Sequence, residues 1–261
     1  MISLNTQYCD CNNFWLLLDW QDPAGQLAWF NQTLSAARQA GEKVWVIGHI
    51  PFNSGGCLDS YQTPLWKIVD TYSDVIAQLF FGHTHDDSFF VMKDFATNTN
   101  PIVVGLVSPS VTTYTEKNNA FRVYTYNRTS FELLNYHQFI QNLTQANIVG
   151  TPNWFIEYNP IEAYNMANLS PAEWYRVASA EFPQNQTMIN NYNYWHTCSY
   201  GALQTCDASC TTNYVCSATS STQQNINECL GDTTPPPIFS SISAFMNHFC
   251  PPWFNATSST F

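Results

Sequence analysis

The chain has 261 residues, with eight Lys and Arg against nineteen Asp and Glu and a formal charge of −11 at neutral pH. Only 10% of the residues are charged while 45% are hydrophobic and 16% aromatic, which gives ample material for a core and excludes a disordered, aromatic-poor chain. The acidic balance argues against nucleic-acid binding, which needs basic patches facing phosphate, and no apolar run approaches the roughly 20 residues that span a bilayer.

Ile2-Ser3-Leu4-Asn5 reads as a short strand. Asp22-Pro23 then opens a helix, as an N-cap followed by proline should, with Leu27, Phe30, Leu34 and Ala37 on one face and Gly41 closing it. Val44-Trp45-Val46-Ile47 is too short and too apolar for a helix and reads as a buried strand ending in Gly48-His49-Ile50-Pro51. A second helix puts Leu65, Ile68, Val69, Tyr72 and Ile76 on one face. A second buried strand, Leu79-Phe80-Phe81, ends in Gly82-His83-Thr84-His85. Strands are then expected at Phe89–Met92, Ile102–Val107, Phe121–Tyr126 and Phe131–Leu134, separated by Asn, Pro and Thr turns. Near Pro152 the composition shifts. Ser170-Pro171-Ala172-Glu173 is a capping box opening a helix with Trp174, Val177 and Ala178 on its apolar face. A cysteine-rich stretch, a Pro-rich segment from Thr233 to Ile238 and an aromatic tail follow. The pattern predicts an α/β domain with a sandwich edge over residues 1–147, a helical cysteine-rich subdomain over 148–231 and a tail over 232–261.

The nine cysteines include a cluster of Cys198, Cys206, Cys210, Cys216 and Cys229, without C-x-x-C pairs or zinc-finger spacing. A disulfide-tied, extracellular-type segment fits better than a metal cluster, and the odd count leaves one thiol over. N-x-[ST] sequons at Asn31, Asn127, Asn142, Asn185 and Asn255 mark glycosylation candidates; a sixth, Asn168, precedes Ser170-Pro171, a poor context. Met1-Ile2-Ser3-Leu4-Asn5-Thr6 does not resemble a signal peptide, so either the protein is cytosolic with unusual cysteines or its true N-terminus lies upstream of this sequence.

Three of the six histidines occupy matching places. His49 follows a glycine at the end of one strand, and His83 and His85 follow a glycine at the end of the next. In extended chain, residues i and i+2 point to one side, and each glycine lets the backbone approach a packed site closely. Imidazole is the commonest metal ligand near neutral pH, and open α/β sheets collect ligands outside the carboxyl ends of their strands. One such histidine alone reads as an ordinary surface or core residue; the repeated pattern points to a metal.

Gly48-His49-Ile50-Pro51 followed by Phe80-Phe81-Gly82-His83-Thr84-His85 resembles the C-terminal half of a calcineurin-like metallophosphoesterase. Asp22-Pro23-Ala24-Gly25-Gln26-Leu27, Pro109-Ser110-Val111-Thr112-Thr113-Tyr114 and Asn142-Leu143-Thr144-Gln145-Ala146-Asn147 narrow the likeness to acid sphingomyelinase and its phosphodiesterase relatives, over residues 2–229. The resemblance implies two zinc ions at the strand ends of a β-sandwich, polarising a phosphodiester and activating a bridging water. His49 and His83 would bind one zinc and His85 the other. Tyr114 would face the substrate or sit in the core. The family's disulfides map onto Cys9–Cys57, Cys206–Cys210 and Cys216–Cys229, leaving Cys11, Cys198 and Cys250 outside the pattern. An acidic residue near the family's substrate is replaced here by Asn12.

The family's other ligands, in Asp-x-His, Gly-Asp and Asn-His-Glu motifs, precede its Gly-His-Ile-Pro. This sequence contains no Asp-x-His; Gly231-Asp232 and Asn247-His248-Phe249 come after the histidine motifs, in the wrong order. Without the bridging Asp two zinc ions would repel each other. The imidazole that protonates the leaving group would also lie in the missing half. The expectation is therefore a partial chain of a secreted or lysosomal phosphodiesterase acting on sphingomyelin at a membrane surface or on a related phosphodiester, without stand-alone activity. The alternative is a non-catalytic paralogue or fragment with at most a partial zinc site.

Overall fold

The computed structural model describes residues 1–114 and 116–232. Its centre is a five-stranded sheet of β1 (Ile2–Ser3), β2 (Val44–Ile47), β3 (Ile76–Phe81), β4 (Ser88–Lys93) and β5 (Pro101–Val107), in the order β1-β2-β3-β5-β4. The first four in that order are parallel, and β4 returns antiparallel on the edge. A three-stranded antiparallel sheet follows, made of β6 (Asn119–Tyr126), β7 (Leu133–Gln141) and β8 (Trp154–Tyr158).

The central strands are nearly continuous apolar runs because both of their faces are buried. One face packs on α1 (Gln26–Ala40) and α2 (Asp59–Thr71), where Phe30, Leu34, Leu65 and Val69 meet Val46, Leu79, Phe90 and Met92 in one core. The other face turns Phe89, Val91, Val104 and Leu106 into a second core with Tyr136, Tyr158, Trp174, Phe182 and Ile189. Alternation along β4 separates the two, since successive side chains point to opposite faces. Phe89 packs on Trp174 with ring centroids 4.3 Å apart.

The helix does not open at Asp22-Pro23: Pro23–Gly25 is a 3-10 turn with Ala24 at φ 58°, and α1 begins at Gln26 with Gly25 as its N-cap residue. The Asp22 carboxylate still accepts from the first-turn amides of Leu27 (2.7 Å) and Ala28 (3.1 Å), and Gly41 closes the helix in the left-handed region at φ 68°. The second helix stops at Thr71, and Ile76 begins β3 instead of belonging to it. The strand expected at Phe131–Leu134 is Leu133–Gln141; Phe131 lies in the preceding turn at φ 60°.

After α3 (Leu143–Val149), β8 pairs back onto β7, so the sheet runs across residue 148. The helical region comprises α4 (Pro160–Ala163), α5 (Pro171–Arg176), a π-helical turn (Val177–Glu181), α6 (Phe182–Gln184), α7 (Gln186–His196), α8 (Ala208–Ala218) and α9 (Gln223–Cys229). Only half of the capping box forms. Ser170 Oγ accepts from the Glu173 amide, but the Glu173 carboxylate turns to the Ala167 amide and Arg176.

The pairs Cys9–Cys57, Cys206–Cys210 and Cys216–Cys229 are all formed. Cys198 is a buried free thiol, while Cys250 lies outside the described residues. Among the described residues no helix is long and apolar enough to cross a membrane.

Candidate functional site

β2 and β3 lie side by side with Ile47 opposite Phe80, so the loops after them leave the sheet at one level. The rings of His49 and His83 meet edge-on, with centroids 4.9 Å apart and His49 Nε2 3.2 Å from His83 Nδ1. That spacing is a hydrogen bond between one protonated and one bare ring nitrogen. His85 is on the same loop, its ring 6.0 Å from that of Tyr114, again edge-on. Tyr114 is 59% exposed, which removes the core reading of this residue.

The two glycines act differently. A Cβ on Gly48 would sit 2.8 Å from Thr6 Cγ2 and 3.0 Å from the Phe81 ring, so close approach does require glycine there. Thr6 Oγ1 accepts from the amides of both His49 (3.1 Å) and Ile50 (2.8 Å), fixing that turn. At Gly82 nothing would lie within 4 Å of a Cβ, so the packing expectation fails. The extended i, i+2 arrangement also fails. His83 and His85 have φ of 73° and 60°, left-handed conformations uncommon for residues with a Cβ.

A second wall comes from the segment that the Cys9–Cys57 disulfide clips to the loop after His49. The Cys11 amide donates to Gly56 O (3.0 Å) and the Leu58 amide to Cys9 O (2.8 Å). Asp10 stands between, bridged to Cys57 and buried, accepting from the Asn12 backbone (2.9 Å) and side-chain amide (3.3 Å). Asn12 thus turns to Asp10. Burial, then His49 and His85, hold the His83 pKa below its usual value, opposed by Asp10. His83 is therefore neutral near pH 7, the form that ligates metals. Asp10 is not singled out by the sequence, where its one signal is its place between Cys9 and Cys11.

Among the described residues no three His, Cys, Asp or Glu side chains gather into a metal-ligand group. The histidines offer imidazole nitrogens, but a two-zinc centre needs an anionic bridge as well, and the residues gathered here do not fit a complete one.

A sequence profile for the acid sphingomyelin phosphodiesterase C-terminal region matches residues 97–234, more than half of the chain. The chain belongs to the acid sphingomyelin phosphodiesterase family. It is 43% identical to sphingomyelin phosphodiesterase of Bos taurus over 180 residues, covering 67% of this chain and 28% of that protein. It is 36% identical to sphingomyelin phosphodiesterase A of Dictyostelium discoideum over 234 residues, covering 88% of this chain and 40% of the relative. To the cyclic GMP-AMP phosphodiesterase of Mus musculus it is 33% identical over 243 residues, covering 88% and 54%. The chain thus spans from about a quarter to about half of the length of these family members.

Of the sequons in this sequence, Asn31, Asn127 and Asn142 are exposed and Asn185 is half-buried. Asn142 and Asn185 cap α3 and α7 through their side-chain oxygens. Asn255 lies outside the described residues. A groove of about 550 Å³ opens beside Lys43, Asp74, Gln78 and Glu132; Ile76, the first residue of β3, lines it, at the end of the sheet opposite the histidines.

Proposed function

We propose that this chain is the C-terminal share of a zinc-dependent phosphodiester hydrolase of the sphingomyelin phosphodiesterase type. In this reading His49, His83 and His85 are metal ligands, and the remaining ligands and the leaving-group acid come from a segment outside these residues. The observation that carries it is the meeting of His49 and His83 at 3.2 Å beyond the ends of two adjacent parallel strands, with His85 on the same loop. When bound, zinc polarises a phosphodiester oxygen and lowers the pKa of a coordinated water. The chain's own residues hold the His83 imidazole neutral beside His49, and present the Tyr114 phenol near His85 at the rim. The substrate is a phosphodiester, with sphingomyelin at a membrane surface the first candidate, and the setting is secreted or lysosomal. The three disulfides suit such an oxidising compartment.

One observation favours a second reading for the chain acting alone, a non-catalytic protein with a partial zinc site: no three ligating side chains gather among the described residues. A sphingomyelin hydrolysis assay with added zinc separates the two. The chain alone is expected to show no turnover. Mixing it with the N-terminal segment of a family member is expected to give turnover that His85→Ala lowers at least a hundredfold. No turnover in the mixture, with no zinc bound by the chain, would leave only a scaffold.

A further inference from the structure

The loop from Gly82 to Asp87 holds two residues, His83 and His85, in left-handed backbone conformations. Such conformations cost free energy and persist only where the surroundings over-determine them. Gly82 donates to His49 O (3.0 Å) and Thr84 to Gly82 O (2.9 Å), which ties the loop to its neighbour and to itself. What holds it from behind is a set of groups from three distant segments.

Lys117, just before β6, donates to Thr84 O, between the two histidines, at 3.0 Å and pairs with Asp86 at 2.6 Å. Its side chain is only 10% exposed, so its ammonium is committed to these partners. Arg122 of β6 pairs with Asp87, both side chains buried, while Tyr158 of β8 donates to the other Asp87 oxygen at 2.8 Å. Arg122 is fixed in turn by the Tyr136 ring, 4.5 Å beneath its guanidinium, and by Gln138 Oε1 at 2.8 Å. From the end of α7, His196 meets the Asp87 backbone twice: Asp87 N donates to His196 O (3.0 Å) and His196 Nδ1 lies 3.0 Å from Asp87 O. His196 Nε2 also stands 3.6 Å from Asp86.

We propose that Lys117, Arg122 and His196 are positioning residues which, through Asp86 and Asp87, fix the backbone of the His83–His85 loop and so aim its two imidazoles. The second sheet and the helical region thereby act on the site without touching whatever binds there. The role in zinc binding rests on the function proposed above; the role in fixing the loop does not.

The test uses the full 261-residue chain. Hydrogen–deuterium exchange without metal is read on the 82–87 amides, and zinc is titrated calorimetrically. Lys117→Met removes the donors at similar length, Lys117→Arg restores a cation, and Leu34→Ala in α1, in the core on the other face of the sheet, serves as a destabilised control. Lys117→Met is expected to speed exchange at 82–87 at least tenfold, leave α1 and α2 unchanged and weaken zinc binding at least tenfold. Lys117→Arg is expected to return both to within about threefold of the parent. Parent-like loop exchange in Lys117→Met, or the same local acceleration in Leu34→Ala, would overturn the proposal. If Lys117→Met does not fold, His196→Asn gives the same readout with the same deciding outcomes. A parent chain that binds no zinc but shows the Lys117-dependent exchange would sink the metal reading and leave the positioning role standing.

Discussion

On one side of the five-stranded sheet, α1 and α2 cover the strands with aliphatic and aromatic side chains, and a disulfide clips two loops beside the histidines. On the other side, a second sheet and several helices enclose an aromatic core together with buried charges, Asp87 and Arg122. Burial works against both charges. It raises the Asp87 pKa despite Arg122, while at Arg122 Asp87 together with Tyr136, Tyr124 and Tyr158 more than offsets it and holds the guanidinium well above its usual value. The first region orders strand ends, where a parallel sheet collects chemistry. The second spends polar groups in its interior, where each must be paired. The candidate ligands thus sit beside an apolar core, while buried charges of the other region pair with the loop that carries two of them.

The largest expected effect lies in the second core. Trp174→Ala removes a side chain that touches Phe89, Tyr136 and Tyr164 and should cost about 3–5 kcal/mol in chemical denaturation. A loss under about 1 kcal/mol would show that this region is not the stabilising partner. Removing the disulfides tests the first region. Loop-closure entropy assigns about 4 kcal/mol to Cys9–Cys57, which spans 48 residues, and about 3 kcal/mol to Cys216–Cys229, which spans 13. Paired Cys→Ser variants should rank in that order in thermal denaturation; the reverse order would mean that the cysteine-rich helices depend more on their crosslink.

Glu157 in β8 sharpens the contrast by pH. Burial pushes its pKa to about 8, against a hydrogen bond from Ser199, with Asp87 raising it further and Arg122 opposing. The folded protein therefore keeps a proton that the unfolded chain releases near its ordinary value of 4.5. Stability from this group is complete below that pH, falls as pH rises toward about 8 and is flat beyond. Glu157→Gln should flatten the profile and stabilise the chain at pH 9 by on the order of 2 kcal/mol. Subtracting parent from variant isolates Glu157 from His83, whose lowered pKa acts in the opposite sense. An unchanged difference across pH 5–9 would refute the assignment. The smallest stability effect belongs to the half-exposed His85: His85→Ala should alter stability by less than about 0.5 kcal/mol while reducing zinc binding in calorimetry. A large stability loss would class it as scaffold.

Much of this was legible locally. Short apolar runs ending in Gly-His gave β2 and β3, the apolar face from Leu27 to Ala37 gave α1 although Asp22-Pro23 opens a 3-10 turn ahead of it, and the family motifs carried the three disulfides. Ile76 was misplaced because the helical spacing of α2 continues past its end at Thr71 into the first residue of the next strand. β8 went unread, since Trp154, Phe155 and Ile156 are exposed on a sheet edge and lack the alternation of a half-buried strand.

By itself the sequence determined where along the strands the candidate histidines lie, because strand and helix periodicity are local. Only the tertiary structure decided how they are aimed. The left-handed turns at His83 and His85 lie among distant contacts: the bridge of Asp10 to Cys57 and the hold of Lys117, Arg122 and His196 on Asp86 and Asp87 join residues about thirty to over a hundred positions apart. Those pairings depend on which faces two sheets and a helix bury together, and no local pattern encodes that.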